Sequence, residues 1–196
     1  MKFINNSNDL TRYLDVPVKK NIDIKSISTD TRSIKKGALF IAIKGDIFNG
    51  NDYVEIAISK EACLVITDDK KFKDSKNKKI IYVSNSILAL RNISRNIIKE
   101  YSGNIIGITG SNGKTSTTNI IANSLKNCSS TLKNFNNEIG VPLSIMNANR
   151  QSKSLVIEMG AAKINDIDYL SSFLKPNIGV ITNIGNSHLE SLKNIK

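Results

Sequence analysis

The sequence predicts an α/β protein: a small N-terminal α/β domain followed by a phosphate-loop-type doubly wound, mostly parallel sheet. Three observations carry this. Short β-like runs alternate with turns over residues 1–85. From residue 104 onward, apolar runs of strand length alternate with segments of helical spacing, the pattern of a parallel sheet with crossover helices. Between the first of those runs and the next helix lies a glycine-rich turn, residues 107–116, reading G-I-T-G-S-N-G-K-T-S. The expected organisation is a domain over 1–85, a connecting helix over 86–103 and a second domain over 104–196.

Residues 7–14 have helical spacing and open the chain. The apolar runs 38–43, 63–67 and 80–83 read as strands, with a helix over 53–60 between the first two. Leu90, Ile93, Ile97 and Tyr101, with Ile98 alongside, repeat at helical spacing over 87–101, and Gly103 stops that helix. Residues 105–109 form the next strand and 117–125 a helix. In 136–143 two amides and an acid precede Gly140 and Pro142, a loop entering a helix. Residues 155–159 and 178–184 are apolar enough for fully buried strands, separated by a helix over 166–174 that Pro176 ends.

Composition narrows the class. The 196 residues are 40% hydrophobic, enough for a real core. No apolar run approaches the roughly 18 residues of a membrane span, and residues 1–6 lack the apolar stretch of a secretory signal. Cys63 and Cys128 lie far apart without metal-ligand spacing, and Cys63 reads as a core residue. A reduced, cytoplasmic protein is expected. The net charge of +11 comes from scattered lysines. The densest run, residues 68–79, contains three Asp and reads as a solvated loop, so nucleic acid is not an expected partner.

The chemistry is most legible in the glycine-rich turn. Strand, turn, lysine, hydroxyl and helix form a phosphate-binding layout, in which backbone N–H groups converge on an anion and the helix adds its positive end. Lys114 is placed to reach the outer phosphates and Thr115 to ligate Mg²⁺. The usual spacing asks for glycine at Ile108, so the loop is a variant. In an open parallel sheet, ligands bind beyond the carboxyl ends of the strands. The strand over 155–159 delivers Glu158 there, and the strand after it delivers Asn183, Gly185 and His188. A carboxylate, an imidazole and the Thr115 hydroxyl suit Mg²⁺ or Mn²⁺. Taken alone, Glu158 also reads as a strand-end charge facing water and His188 as an ordinary loop residue. Glu190 reads as surface.

These residues, in order, resemble the Mur ligases, ATP-dependent amide-forming enzymes of peptidoglycan synthesis. The family loop T-G-[TS]-N-G-K-[TS] appears as Thr109-Gly110-Ser111-Asn112-Gly113-Lys114-Thr115, which accounts for the variant spacing. Its E-x-G appears as Glu158-Met159-Gly160, and its I-T-N-[IV]-G-x-x-H-[LA]-E appears over 181–190. The segment N-N-E-I-G-V-P-L over 136–143 is similar to the branch that adds D-alanyl-D-alanine to UDP-N-acetylmuramoyl-tripeptide. In the first domain, Thr29-Asp30-Thr31-Arg32, the run 36–42, Lys44-Gly45 and Asn49-Gly50 are similar to the pattern that holds the UDP-sugar. Asn49 and Asn51 depart from the family's usual Asp and His, and Asn165-Asp166 from its usual Gly-Glu.

The resemblance implies ATP and Mg²⁺ or Mn²⁺ as cofactors, with phosphorylation of the peptide carboxylate to an acyl phosphate. It implies Lys114, Glu158 and His188 as catalytic residues, and Thr115, Glu158 and His188 as metal ligands. Gly110, Ser111, Asn112, Gly113, Lys114, Thr115, Ser116 and Asn137 are implied for the nucleotide, and Thr31, Arg32, Lys44, Gly45 and Asn49 for the UDP-sugar peptide. A monomer with no membrane insertion is expected. The family continues through a carbamylated lysine and a third domain, so the chain reads as a fragment without ligase turnover alone. Three alternatives stay open: a sibling amide ligase acting on another UDP-sugar peptide or a folate, a nucleotide-binding module without catalysis, and a basic nucleic-acid-binding NTPase.

Overall fold

The computed structural model describes residues 2–14, 16, 21–45 and 47–185. The positions expected for His188 and Glu190 lie outside the described residues. The chain divides into two compact units, Ile4–Ile93 and Met1–Phe3 with Ser94–Lys196.

The unit Ile4–Ile93 begins with α1 (Ser7–Leu14), which buries Ser7, Leu10 and Tyr13 at a three-residue spacing. Asn6 caps it, its side-chain oxygen accepting from Asn8 N at 2.9 Å and Asp9 N at 3.0 Å. Four strands follow, β1 (Ser26–Ser28), β2 (Ala38–Ile41), β3 (Leu64–Thr67) and β4 (Ile80–Tyr82). They form one parallel sheet in sequence order. β2 and β3 are buried at every position, which is why their sequences run apolar without alternating. The β2–β3 crossover is a 3₁₀ turn (Gly50–Tyr53) running into α2 (Val54–Ser59), rather than one helix over 53–60. Phe40, Ala42, Val54, Ala57, Val65 and Phe72 pack together between sheet and crossovers.

Phe72 corrects the reading of 68–79 as a purely solvated loop. It is the buried residue of a 3₁₀ turn (Lys70–Phe72), and it anchors a crossover whose lysines remain outside. Cys63 is half-buried rather than core, its Sγ donating to the carbonyls of Gly37 and Ala38. Burial pushes its thiol up from the ordinary range, the direction of an unreactive cysteine. β1 was not foreseen, since its single apolar residue, Ile27, carries no periodic signal.

A polar network closes the carboxyl end of β3. Thr67 Oγ1 donates to Asn51 Oδ1 at 2.7 Å, and Asn51 Nδ2 donates to Asp68 Oδ1 at 2.7 Å. Asp68 Oδ2 then accepts from Ser86 N at 3.0 Å, the first residue of α3 (Ser86–Glu100). Asn51 and Thr67 are both buried, so each needs its partner. α3 buries Ala89, Leu90, Ile93, Ile97 and Ile98, the face that its spacing announced.

In the second unit the chain order is β5 (Asn104–Thr109), α4 (Lys114–Ser124), β6 (Cys128–Ser130), α5 (Gly140–Asn147), β7 (Ser154–Glu158), α6 (Asp166–Leu174) and β8 (Ile178–Ile181). The sheet is parallel, with strand order β6-β7-β5-β8. The chain leaves β5 for the outer β6, returns to β7, then crosses to the far side of β5, so winding reverses about β5. On one face, Ile106, Ile108 and Val156 pack with Ile121 and Ala122 of α4. Gly107 points to the other face. A Cβ there would stand 2.8 Å from Met159 Cε and 3.2 Å from Pro176, so glycine admits the close approach of the turn after α6.

Two boundaries are corrected. α4 begins at Lys114 rather than 117, because its first turn, Lys114 to Thr117, is polar and carries no apolar period. The strand expected over 178–184 spans Ile178–Ile181 and, among the described residues, pairs with β5.

The β3-end network makes a stability prediction. Asn51→Ala removes the acceptor of the buried Thr67 hydroxyl and a donor to Asp68. Urea unfolding should show a loss of about 1–3 kcal/mol. An unchanged midpoint would mean the network contributes nothing.

Candidate functional site

β5 ends at Thr109 and hands the chain to a turn that only glycine can make. Gly110 has φ +138°, and a Cβ there would collide with Thr182 Oγ1. Gly113, at φ +79°, sits at the N-cap of α4 without a side-chain cap. The first helical bond runs from Thr117 N to Gly113 O at 2.9 Å. The amides of Lys114, Thr115 and Ser116 therefore precede the ladder and point out of the helix end. They form an anion-binding terminus reinforced by the helix dipole.

The turn is fastened to the segment after β8. Ser111 N donates to Asn183 O at 3.1 Å and Asn112 N to Asn183 Oδ1 at 2.8 Å. Thr182 Oγ1 donates to Asn112 O at 2.6 Å, and Gly185 N donates to Ser111 Oγ at 2.9 Å. These bonds engage the amides of Ser111 and Asn112, two of the residues expected at the nucleotide over Gly110 to Ser116. Lys114 Nζ donates to Gly110 O at 2.6 Å and Ser111 O at 3.2 Å, which holds the ammonium over the turn.

Glu158 lies at the end of β7, adjacent to β5 in the sheet, and is 2% exposed. That burial excludes a strand-end charge facing water. Its Oε2 accepts from Thr115 Oγ1 at 2.8 Å, and its Oε1 from Asn136 Nδ2 at 2.8 Å. Thr115 and Glu158, two of the three side chains proposed for the metal, are thus in direct contact. A hydroxyl and a carboxylate are hard oxygen donors and fit Mg²⁺. Among the described residues no group of three or more His, Cys, Asp and Glu converges, and the third expected ligand, His188, lies outside them.

Asn136 is the residue that sequence reasoning missed. Asn137 was singled out instead, and its Oδ1 caps the entry to α5, accepting from Gly140 N at 2.8 Å and Ile139 N at 3.2 Å. Two adjacent amides carry no sequence signal of which one turns inward. Asn136 is also held by its backbone, since Gly160 N donates to its carbonyl at 2.7 Å. Beside this cluster opens a cleft of about 530 Å³ whose lining includes Lys114, Asn136, Asn137, Gly160, Lys163 and Tyr169.

The unit Ile4–Ile93 has its own cavity, about 290 Å³, whose lining includes Asp30, Thr31, Arg32, Phe40, Phe48 and Tyr53. Arg32 grips Asp30 through its side chain, Nε donating to Oδ1 at 3.0 Å and Oδ2 at 3.1 Å and Nη2 to Oδ2 at 2.8 Å. The pairing lowers the Asp30 carboxyl below its usual range and raises Arg32. The arginine side chain is 90% exposed, so this pair is held weakly and can exchange for an incoming anion. Thr31 is buried, and its carbonyl accepts from Lys60 Nζ at 3.0 Å. Lys44 and Gly45 lie on a tight hairpin in which Lys44 bridges Asn49 and Gly45 N donates to Phe48 O at 2.8 Å. Asn49 spends its side chain capping the turn after it, accepting from Asn51 N at 3.2 Å.

Comparison with known proteins gives this geometry a context. The family described as Mur ligase middle domain matches residues 108–196, and the one described as Mur ligase family, catalytic domain matches residues 23–99. A UDP-N-acetylmuramoyl-tripeptide–D-alanyl-D-alanine ligase of Buchnera aphidicola (subsp. Baizongia pistaciae) is 40% identical over 89% of this chain and 38% of its own length. A crystal structure of MurF from Acinetobacter baumannii superposes with TM-score 0.80 at 26% identity, over 94% of this chain and 42% of that one. MurF from Thermotoga maritima in complex with ADP gives TM-score 0.72 at 32% identity, over 84% of this chain and 38% of that one. The chain thus spans about two fifths of the length of these relatives. With both units matched and the phosphate turn, buried glutamate and paired amides in their expected order, the chain belongs to the Mur ligase family.

Proposed function

We propose that this chain supplies the UDP-sugar-peptide domain (residues 1–85), connecting helix (86–103) and ATP-binding domain (104–196) of a cytoplasmic, monomeric ligase that joins D-alanyl-D-alanine to UDP-N-acetylmuramoyl-tripeptide. The observation that carries the reading is the buried Glu158 joined to Thr115 and Asn136 and set against the uncapped start of α4. The names of the relatives supply the substrates. Among the described residues no helix is long and apolar enough to cross a membrane.

In this reading the amides at the start of α4 bind the phosphates of ATP, and Lys114 neutralises charge that develops on the γ-phosphoryl group. The terminal carboxylate of the tripeptide attacks the γ-phosphorus, the bond to the bridging oxygen breaks, and ADP leaves. The acyl phosphate is then attacked by the amine of D-alanyl-D-alanine. The C–N bond forms, inorganic phosphate departs and the amine releases its proton. Thr115 and Glu158, with His188 as the expected third ligand, would hold Mg²⁺, which supplies charge neutralisation at the phosphates when bound. Arg32 and Thr31, with Lys44, Gly45 and Asn49 around the hairpin, are proposed to receive the UDP-sugar. Asn137 is proposed to serve the nucleotide through the loop that it shapes.

Calorimetric titration of the chain with Mg·ATP tests the nucleotide site. Lys114→Ala should weaken binding about ten- to a hundredfold, the range for losing a charged hydrogen-bond partner. Equal affinity would remove Lys114 from the site. Glu158→Gln keeps the side chain's shape and removes its charge. Affinity for ATP with Mg²⁺ should fall by a similar factor, while affinity for ATP in EDTA should hold. Equal losses under both conditions would point to collapse of the turn rather than a metal role.

The ligase reading is tested by continuing this chain with the remaining length of the Buchnera relative. Phosphate release should require ATP, UDP-N-acetylmuramoyl-tripeptide and D-alanyl-D-alanine together. Turnover with a single amino acid in place of the dipeptide would favour a sibling ligase instead.

A further inference from the structure

We infer that the cleft beside Lys114 receives the carboxylate-bearing end of the acceptor peptide, and that Lys163 is the cation that recognises it. The inference rests on the ligase reading above and adds a site and a residue to it. Within the phosphate turn, Lys114 Nζ lies against the carbonyls of Gly110 and Ser111, so its charge is committed at the phosphate end. A carboxylate approaching the same phosphoryl group needs a second positive partner.

The cleft supplies one. Its lining joins Lys114 and the Asn136–Glu138 turn to the segment after β7 and the first turns of α6. Lys163 is exposed there, and among the described residues no ion pair engages it. The one lining acid close to it in sequence, Asp166, is already used. Its Oδ2 accepts from Ala162 N at 2.8 Å and from Lys163 N at 2.7 Å. That carboxylate therefore fixes the turn carrying Lys163 rather than pairing with the ammonium. Asn165, at φ +71°, completes the sharp entry. Tyr169, held edge-on to Phe173 at 5.9 Å between ring centroids, gives the lining an aromatic surface for a peptide stem. At about 530 Å³ the cleft has room for a terminal amino-acid residue.

The geometry also says why this cleft serves the acceptor rather than the nucleotide. It lies past the carboxyl end of β7, where Gly160 follows the buried Glu158, whereas the open amides of α4 belong to the turn after β5. A phosphoryl group at the start of α4, beside Lys114, would stand at the junction of the two. The acceptor carboxylate then approaches from the Lys163 side.

The test is calorimetry on the 196-residue chain with a non-hydrolysable ATP analogue, UDP-N-acetylmuramoyl-tripeptide, and UDP-N-acetylmuramate lacking the peptide. Lys163→Met should weaken the tripeptide compound about tenfold, and Lys163→Glu further, with affinity for the ATP analogue and for the peptide-free compound unchanged. Equal tripeptide affinity in the unsubstituted and Lys163→Met chains would overturn the inference alone. A loss of ATP-analogue affinity in Lys163→Met would assign the cleft to the nucleotide and overturn it as well. Failure of the unsubstituted chain to bind the tripeptide compound, with ATP-analogue binding intact, would overturn the acceptor reading and this inference with it.

Discussion

Glu158 is a carboxylate held at 2% exposure between two neutral donors, and the central part of the second unit is arranged around that fact. Removing an ionised group from water costs several kcal/mol unless charge and hydrogen bonds are restored locally. Thr115 and Asn136 satisfy both oxygens but bring no charge. The start of α4 brings part of one, because Thr115 is the second residue of that helix and the positive end of the dipole lies beside it. Lys114 does not complete the balance, since its ammonium is directed to two carbonyls of the turn. A divalent cation complements such a cluster on charge as well as on ligand type.

Glu158 fixes three pieces of chain that are far apart in sequence. Through Thr115 it orients the first turn of α4, and through Asn136 it orients the loop before α5. Its own amide donates to Thr131 Oγ1 at 2.7 Å, just past the end of β6. On the other side of β5, Thr182 and Asn183 hold the phosphate turn from beneath. The turn is therefore preset by neighbours on both sides. That explains how a sequence with glycine displaced from the common spacing still presents its helix start openly. Position 108 is a fully buried strand residue packed against α4, so it has no part in the turn itself.

The legibility of these features in the sequence follows their range. α1 and α6 were readable to the residue because each has an apolar period and a clean end. The strands β2, β3, β5 and β7 were readable because central parallel strands are apolar throughout. β1 and β6 were not, being three-residue elements with little apolar content whose existence depends on a neighbouring strand. In the site, Lys114, Thr115 and Glu158 were legible as motif residues. The contacts of Asn136 and Thr182 are long-range, and neither residue type nor spacing encodes them.

The two units obey one constraint independently. Parallel strands gather their carboxyl ends at one edge, and each departing loop must turn there with its polar groups satisfied. In the second unit that edge carries the glycine-rich turn after β5 and Glu158 at the end of β7. In the unit Ile4–Ile93 it carries Thr29 to Arg32 after β1, the hairpin and Gly50 after β2, and the Asn51–Thr67–Asp68 network at β3. Asn51 illustrates the difference between position and role. It stands where the family often has histidine, and here its amide bridges a buried hydroxyl and the carboxylate that caps α3. An amide can donate and accept at once without carrying charge, which suits a buried link between an alcohol and an acid. The substitution therefore leaves the edge of the sheet intact, and with it the cavity that Arg32 and Thr31 line.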